Sequence, residues 1–419
     1  MKRRIVESFL SLSIVQGASH LLHLLIVPFL VRVLGPENFG LISFSQAFVN
    51  YFILLTDYGF NLSATRISST LRDDREKLSL LFCSVMVAKG GLLLLSAAVL
   101  LLFIVTVPFF QSEWRLHLVV FGSVAGHVLF PQWYFQGIEK MRYIAIVTLV
   151  FKLATVAALF LTVQGPDDFL WAAGIQSAGM MASGLAAFIL APAATRLGLR
   201  WPPMEAVKSV LREGRDVFFS TAAVSLYTNS NTFIVGLLTN PTEVGFFSAA
   251  EKLIRAVLNL LSPISQSVYP HISHMVLHAP AQAALFLSRL FWLFCSGSFL
   301  VSAVLFAGSG RIVGILFGHG FAPSAVIFRW MAFLPFVISI SNVFGIQTLL
   351  TFGHHRIYSR NLIGAGILNV VLIVPLVVVW GGAGAAIAVL ITEIAVAALM
   401  LISVRNCGIP LSRPFPGAR

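Results

Sequence analysis

Asp57, Lys89, Lys152, Glu251, Lys252, Arg255 and Glu393 all fall inside long apolar runs of this 419-residue sequence, with Arg32 near the end of the first run and Arg329 in a less regular one. An ionised side chain at the centre of a membrane-spanning helix costs about 2.5–3.5 kcal/mol on insertion scales, so these groups must face protein or a wet cavity. Lys89 and Lys152 sit about nine residues, or roughly 13 Å at helical rise, from one end of their runs, too deep for easy snorkelling. Neither has a carboxylate at helical spacing on its own run. A solvated cationic cavity is the favoured reading, with partners from other helices, Asp57 among them, as the alternative. Glu251 and Arg255 are four apart, the spacing of an intrahelical ion pair, and a purely structural pairing weighs as much there as a functional one. Asp57 suits helix packing as well as ion coupling. Glu393 stands alone among small residues, where a neutral carboxyl hydrogen-bonded between helices is the stronger reading.

Other reactive side chains carry less. His271, His274 and His278 recur at helical spacing, but without Cys or carboxylate company they do not make the three- or four-ligand set of a metal site. His354 and His355 form a loop pair. Cys83, Cys295 and Cys407 are far apart and odd in number, which suits neither a disulfide framework nor zinc. No P-loop, GxSxG or HExxH pattern occurs, so neither an ATP motor nor a hydrolase is indicated, and no cofactor is expected.

The elements that must position these charges are helices in a bilayer. Hydrophobic residues make up 58% of the chain and charged residues 11%, against roughly a quarter charged in an ordinary soluble domain. Runs such as Leu92 to Phe110 and Ile363 to Trp380 approach or exceed the roughly 18–20 apolar residues that span a bilayer as helix. Polar, Gly and Pro breaks divide the chain into spans at 9–33, 39–65, 79–108, 114–138, 143–164, 168–192, 216–238, 243–273, 285–307, 322–350, 357–380 and 382–404. The fold class is therefore an all-α polytopic membrane protein of about twelve transmembrane helices. The stretch 305–350, punctuated by Gly308, Gly310, Gly314, Gly318 and Gly320, leaves room for an interfacial or re-entrant piece. The apolar stretch following Lys2, Arg3 and Arg4 runs too long for a cleaved signal and reads as a first span.

Basic residues fix an orientation. With the N-terminus inside, cytoplasmic loops hold Arg66, Arg72, Arg75, Lys77, Lys140, Arg142, Arg196, Arg200, Lys208, Arg212, Arg215, Arg289, Arg356 and Arg360, whereas the opposite loops carry Arg115, Arg311 and the acidic Asp167, Asp168 and Glu243. This is the positive-inside pattern with both termini cytoplasmic. The net charge of +12 follows from topology and from anionic lipid on the inner face, and implies no nucleic-acid partner. The chain also repeats. Pro36, Gly40 and Ser43 map onto Pro241, Gly245 and Ser248 at one constant offset, and a weaker echo pairs Gly137–Tyr143 with Gly353–Tyr358. The expected organisation is an N-terminal six-helix lobe at 1–192, a cytoplasmic inter-lobe loop at 193–215, a C-terminal lobe at 216–404 and a tail at 405–419. In transporters, related halves of this kind flank a central substrate site.

Several segments resemble the bacterial polysaccharide-unit flippases, the Wzx-type O-antigen transporters. They are Arg32–Gly40 (RVLGPENFG), Asp57–Arg66 (DYGFNLSATR), Phe130–Met141 (FPQWYFQGIEKM), Val244–Arg255 (VGFFSAAEKLIR) and Pro263–Pro270 (PISQSVYP). That family belongs to a larger group of multidrug, oligosaccharidyl-lipid and polysaccharide exporters. The resemblance implies two pseudo-symmetric six-helix lobes around a central cavity, alternating access, and an undecaprenyl-pyrophosphate-linked oligosaccharide as cargo, carried across the bacterial inner membrane. It implies a cationic cavity, for which Lys89, Lys152, Lys252, Arg255 and Arg32 are the matching basic residues. It implies coupling to a proton or sodium gradient, for which Asp57 and Glu251 are the candidates. Membrane lipids, a polysaccharide polymerase and a chain-length regulator are the further partners it suggests. The rival reading is an ion-coupled exporter of a drug or other small molecule, whose cavity should be acidic or aromatic.

Overall fold

The computed structural model describes residues 2–195, 198 and 200–409, and their side chains except at 2–21, 23–24, 194–195, 220, 223–224, 226–229, 262–264 and 266. The side chains of Lys2, Arg3, Arg4 and Pro263, together with Arg196, Arg413, Arg419 and the tail beyond 409, lie outside the described residues. The chain divides into two compact units, Met1–Ser225 and Leu226–Arg419, and the described residues contain helices and no strand.

The first unit comprises α1 (Lys2–Asp57), α2 (Phe60–Thr70), α3 (Arg75–Thr106), α4 (Pro108–Gln111), α5 (Trp114–Leu129), α6 (Gln132–Gly137), α7 (Met141–Thr162), α8 (Phe169–Thr195) and most of α9 (Met204–Asn229). Its boundaries follow local chemistry. Asp74 caps α3 by accepting from the Lys77 amide at 3.1 Å, and Pro108 ends it, holding Val107 extended at φ −110° as the residue before proline must be. In the interior, Gly126 on α5 and Gly184 on α8 bring the two backbones together, because a Cβ at Gly184 would strike the Gly126 carbonyl. Small residues allow such close crossings where lipid supplies no hydrophobic drive between helices.

The second unit contains α10 (Asn231–Leu238), α11 (Pro241–His278), α12 (Pro280–Phe317), α13 (Ala322–Met331), α14 (Leu334–Asn342), a π-helical segment at Val343–Leu350, and α15 (His355–Asn406). The glycine-rich stretch after 305 is helical as far as Phe317. Helix α12 runs straight through Gly308, Gly310 and Gly314 and stops at Gly318, whose φ is +83°. With no water to compete for its hydrogen bonds, a helix in lipid tolerates glycines that would weaken it elsewhere.

Eight helical stretches among the described residues are long and apolar enough to cross a bilayer. Two of them, Leu25–Thr70 at 46 residues and His355–Asn406 at 52, are long enough to cross twice at roughly 20 residues per crossing. Each contains a glycine whose backbone leaves the helix: Gly35 at φ 74°, ψ 174° and Gly381 at φ 56°, ψ −135°. A total of twelve further requires α9–α10 and α11 to cross. Large apolar side chains such as Leu94, Leu161, Leu293 and Val379 are exposed, as a lipid-facing surface demands. The protein is thus a multi-pass, all-helical membrane protein. Within residues 193–215, read from sequence as a loop, α8 continues to Thr195 and α9 starts at Met204, directly after Pro202 and Pro203.

Matching contacts recur in the two units. Asn38 and Glu243 share the repeat offset, and each ties the start of its lobe to a distant helix start: Asn38 Nδ2 donates to the Pro166 carbonyl at 2.9 Å, and Glu243 Oε2 accepts from the Gly382 amide at 3.0 Å. Ser43 and Ser248 are both buried. The second echo is also real but shifted by two residues. Glu139 and Gly353 both take positive φ, and behind them the Lys140 amide donates to Phe135 (2.9 Å) as the His354 amide donates to Leu349 (2.8 Å). Glu139, not Gly137, occupies the position of Gly353.

Candidate functional site

In the first unit, α1 ends at Asp57 because Tyr58 and Gly59 both adopt left-handed backbone, at φ 46° and 75°. This break presents Asp57 to α3, where Lys89 is buried at 3% exposure. The Lys89 ammonium lies 4.0 Å from Asp57 Oδ1. Asp57 Oδ1 also accepts from Asn61 Nδ2 at 2.6 Å, while Asn61 Oδ1 is buried with no hydrogen-bond partner. The alternative left open by the sequence, an inter-helix partner for Lys89, is therefore what the geometry offers, and Asp57 is that partner. Lys152 on α7 is half-buried and Arg32 on α1 is exposed; both lie in the first unit.

In the second unit, Glu251 and Arg255 form their intrahelical pair on α11. Arg255 donates to Glu251 Oε1 through Nη2 at 2.8 Å and through Nε at 3.0 Å. The other carboxylate oxygen accepts from Thr232 Oγ1 of α10 at 2.8 Å. The pair borders a cavity of about 200 Å³ whose polar lining is completed by Asn231, Asn369, Thr392 and Glu393. The Asn369 amide reaches Thr392 Oγ1 at 3.4 Å, and the side-chain oxygens of Asn231 and Asn369 are buried without a hydrogen-bond partner. A buried acceptor left unsatisfied costs about 1–3 kcal/mol, so these oxygens favour whatever donor or cation can reach them. Lys252, the next residue along α11, is half-buried and does not line the cavity.

The sequence reading singled out the charges and missed the neutral partners. Thr232, Asn231, Asn369 and Thr392 are polar residues within apolar runs, and that alone was the available signal. Glu393, read as an isolated structural carboxyl, stands with Glu251 and Arg255 around one cavity. Chemically, an oxygen-rich lining with two carboxylates suits a proton or a hard cation, and the guanidinium at its edge suits an anion.

The sequence matches the family model described as polysaccharide biosynthesis protein over residues 5–276. A relative from Escherichia coli strain K12 and another from Shigella dysenteriae both carry the name "Putative O-antigen transporter". The first is 36% identical over 94% of this chain and 95% of its own length, the second 30% identical over 97% and 100%. Among solved structures, the fold is similar to the lipid II flippase MurJ in an inward closed conformation, with a TM-score of 0.73 and 13% identity over 94% of this chain and 87% of that one. An inward-facing multidrug resistance MATE family transporter of the MOP superfamily gives 0.66 and 12% identity over 94% and 97%. At such identities the likeness shows a shared fold.

Proposed function

Because the chain belongs to the polysaccharide biosynthesis protein family, we propose that it is a flippase that turns undecaprenyl-pyrophosphate-linked oligosaccharide units across the bacterial inner membrane. The units serve O-antigen or another surface polysaccharide. The observation that carries this reading is the end-to-end similarity to relatives named as O-antigen transporters. The protein is a transporter and not an enzyme, and both termini lie in the cytoplasm.

The physics suits such cargo. A pyrophosphate with hydrophilic sugars cannot enter hydrocarbon, while a prenyl tail can remain in lipid throughout. Lys89, Lys152, Lys252, Arg255 and Arg32 offset lost phosphate hydration through charge-assisted hydrogen bonds, which are shorter and roughly twice as strong as neutral ones. Affinity must stay moderate, so that release on the far side does not limit turnover. Alternating access draws on a proton or sodium gradient, with Asp57 and Glu251 as the coupling carboxylates. Glu251 is the better placed of the two, because its cavity offers further oxygens from Glu393, Asn231 and Asn369. A polymerase and a chain-length regulator receive the exported units.

The likeness to a multidrug transporter favours a second reading, ion-coupled export of a drug or other small molecule. One experiment separates the two. Cells lacking the gene, but making the lipid-linked unit, should lose surface polymer and accumulate the unit, and the wild-type gene should restore both. Unchanged polymer together with new drug sensitivity would support the second reading.

A further inference from the structure

Tyr58 is one of two non-glycine residues with positive φ among the described residues, at 46°. A bulky side chain rarely holds that conformation, and it persists only where the surroundings fix it. Two sets of contacts do so. On the α1 side, Asp57 meets the buried Lys89 of α3 at 4.0 Å and accepts from Asn61 of α2 at 2.6 Å. On the other side lies α9. The Tyr58 ring stacks on Phe218, with centroids 4.9 Å apart and planes 11° from parallel. A Cβ at Gly214 would stand 2.8 Å from the Tyr58 carbonyl oxygen, and one at Gly59 would stand 2.8 Å from Val217 Cγ1, so both contacts require glycine. Beyond the turn, Arg66 of α2 donates to Glu213 of α9 at 3.1 Å.

Gly214, Val217 and Phe218 fall on one face of α9, three and four residues apart. Val207, Val210 and Leu211 continue that face into the buried cluster that holds Phe60 and Ala64 of α2. The first half of α9 is thus held by α2 and by the turn before it. That turn has two backbone states. With Tyr58 and Gly59 left-handed, the chain breaks between α1 and α2. With both right-handed, α1 would run on into α2 as one helix, and Tyr58 would leave Phe218. The Asp57–Lys89 pair and the Tyr58–Phe218 stack hold the same broken state from opposite sides. Two interactions that favour one state of a shared element are energetically coupled. Helix α9 itself continues unbroken to Asn229, past Ser225, the last residue of the first unit.

We propose that the Tyr58–Gly59 turn is a conformational switch, with Tyr58 as its positioning residue, that fastens α9 while Asp57 and Lys89 are paired and releases it when they part. Pairing at the buried charges is thereby converted into the placement of the helix that carries the chain into the second unit. The switch is defined by contacts within the first unit and holds whatever the cargo.

Hydrogen–deuterium exchange of the full-length protein in lipid nanodiscs, read by mass spectrometry, tests it. The decisive chain is the double variant Asp57→Asn/Lys89→Met, which has no ion pair and strands no charge. Exchange at 205–219 should rise about ten-fold over wild type, inside the roughly 5–150-fold range of coupled sites, with α5 and α8 unchanged. Tyr58→Phe keeps the ring and should match wild type. Tyr58→Gly suits the left-handed backbone better but lacks the ring, and should raise exchange at 205–219 as the double variant does. Coupling is reciprocal, so Phe218→Ala should speed acetylation of the Lys89 amine by a similar factor, while Lys252 in the second unit keeps its wild-type rate. Wild-type exchange at 205–219 in the double variant or in Tyr58→Gly would overturn the proposal. So would exchange raised equally in α5 and α8, since the pair then supports the whole unit, and so would a Lys89 acetylation rate indifferent to Phe218. Export is not the readout, so failure here is distinct from failure of the flippase reading.

Discussion

Removing the Asp57 charge tests whether the buried lysine beside it depends on that carboxylate. The perturbation is Asp57→Asn, alone and with Lys89→Met. Lys89 and Asp57 have side-chain exposures of 4% and 23% and lie 4.0 Å apart. At that distance, and at an effective dielectric of about 20, their attraction is about 4 kcal/mol. Breaking a buried pair from one side leaves the other charge uncompensated, at about 3–5 kcal/mol. The asparagine keeps a partner in Asn61, so Asp57→Asn should fall near the lower limit, about 3 kcal/mol. For a unit of this size that corresponds to a midpoint lower by roughly 6–12 °C. Lys89→Met should cost less, about 2 kcal/mol, because the partly exposed Asp57 can reach water. The double variant should return to within about 1 kcal/mol of wild type, since an apolar replacement for both charges removes the desolvation penalty too. Thermal unfolding in detergent, followed by tryptophan fluorescence, gives the full cycle. Single variants indistinguishable from wild type, or costs that simply add in the double, would refute the reasoning. Export measured alongside should be lost in the double despite its restored stability, because the charge then serves transport and not only folding.

Further outcomes are expected elsewhere. Lys152→Arg should retain more surface polymer than Lys152→Ala at equal membrane levels, because charge matters more than shape at an anion-binding position, although Arg differs in geometry. Arg255→Gln should impair export, and rescue by Arg255→Gln with Glu251→Gln would show the pair to be structural and remove Arg255 from cargo binding. Gly214→Ala should lower the unfolding midpoint, since its Cβ would lie 2.8 Å from the Tyr58 carbonyl oxygen; overpacking of this kind costs about 1–3 kcal/mol, and an unchanged midpoint would show that α9 yields freely. A reporter fused after Arg200 should read as cytoplasmic, and a periplasmic signal would overturn the orientation.

Much of the fold was legible because bilayer thickness imposes a length on apolar runs. The spans read at 79–108, 143–164 and 357–380 fall on α3, α7 and the first half of α15 with small differences at their ends. Glycines were the harder signal. Gly35 and Gly381 break helices, whereas Gly308, Gly310 and Gly314 sit within one, and local sequence does not separate these cases because neighbouring helices decide them. The π-helical turn at Val343–Leu350 left no pattern at all, and its Gln347 meets Ser265, far away in the chain, at 2.8 Å. At the candidate sites, ionisable residues stood out against an apolar background and the Glu251–Arg255 pair followed from spacing. The Asp57–Lys89 contact and the gathering of Asn231, Asn369 and Glu393 join residues far apart in the chain, and one sequence carries no record of such meetings.

The sidedness of the lipid-linked oligosaccharide is the most direct test of transport. Spheroplasts with the protein depleted, and with the wild-type protein restored, can be treated with a membrane-impermeant sugar oxidant and the lipid-linked units extracted. The account predicts units protected from oxidation in the depleted cells and oxidised once the protein is present. Equal oxidation in both would contradict it.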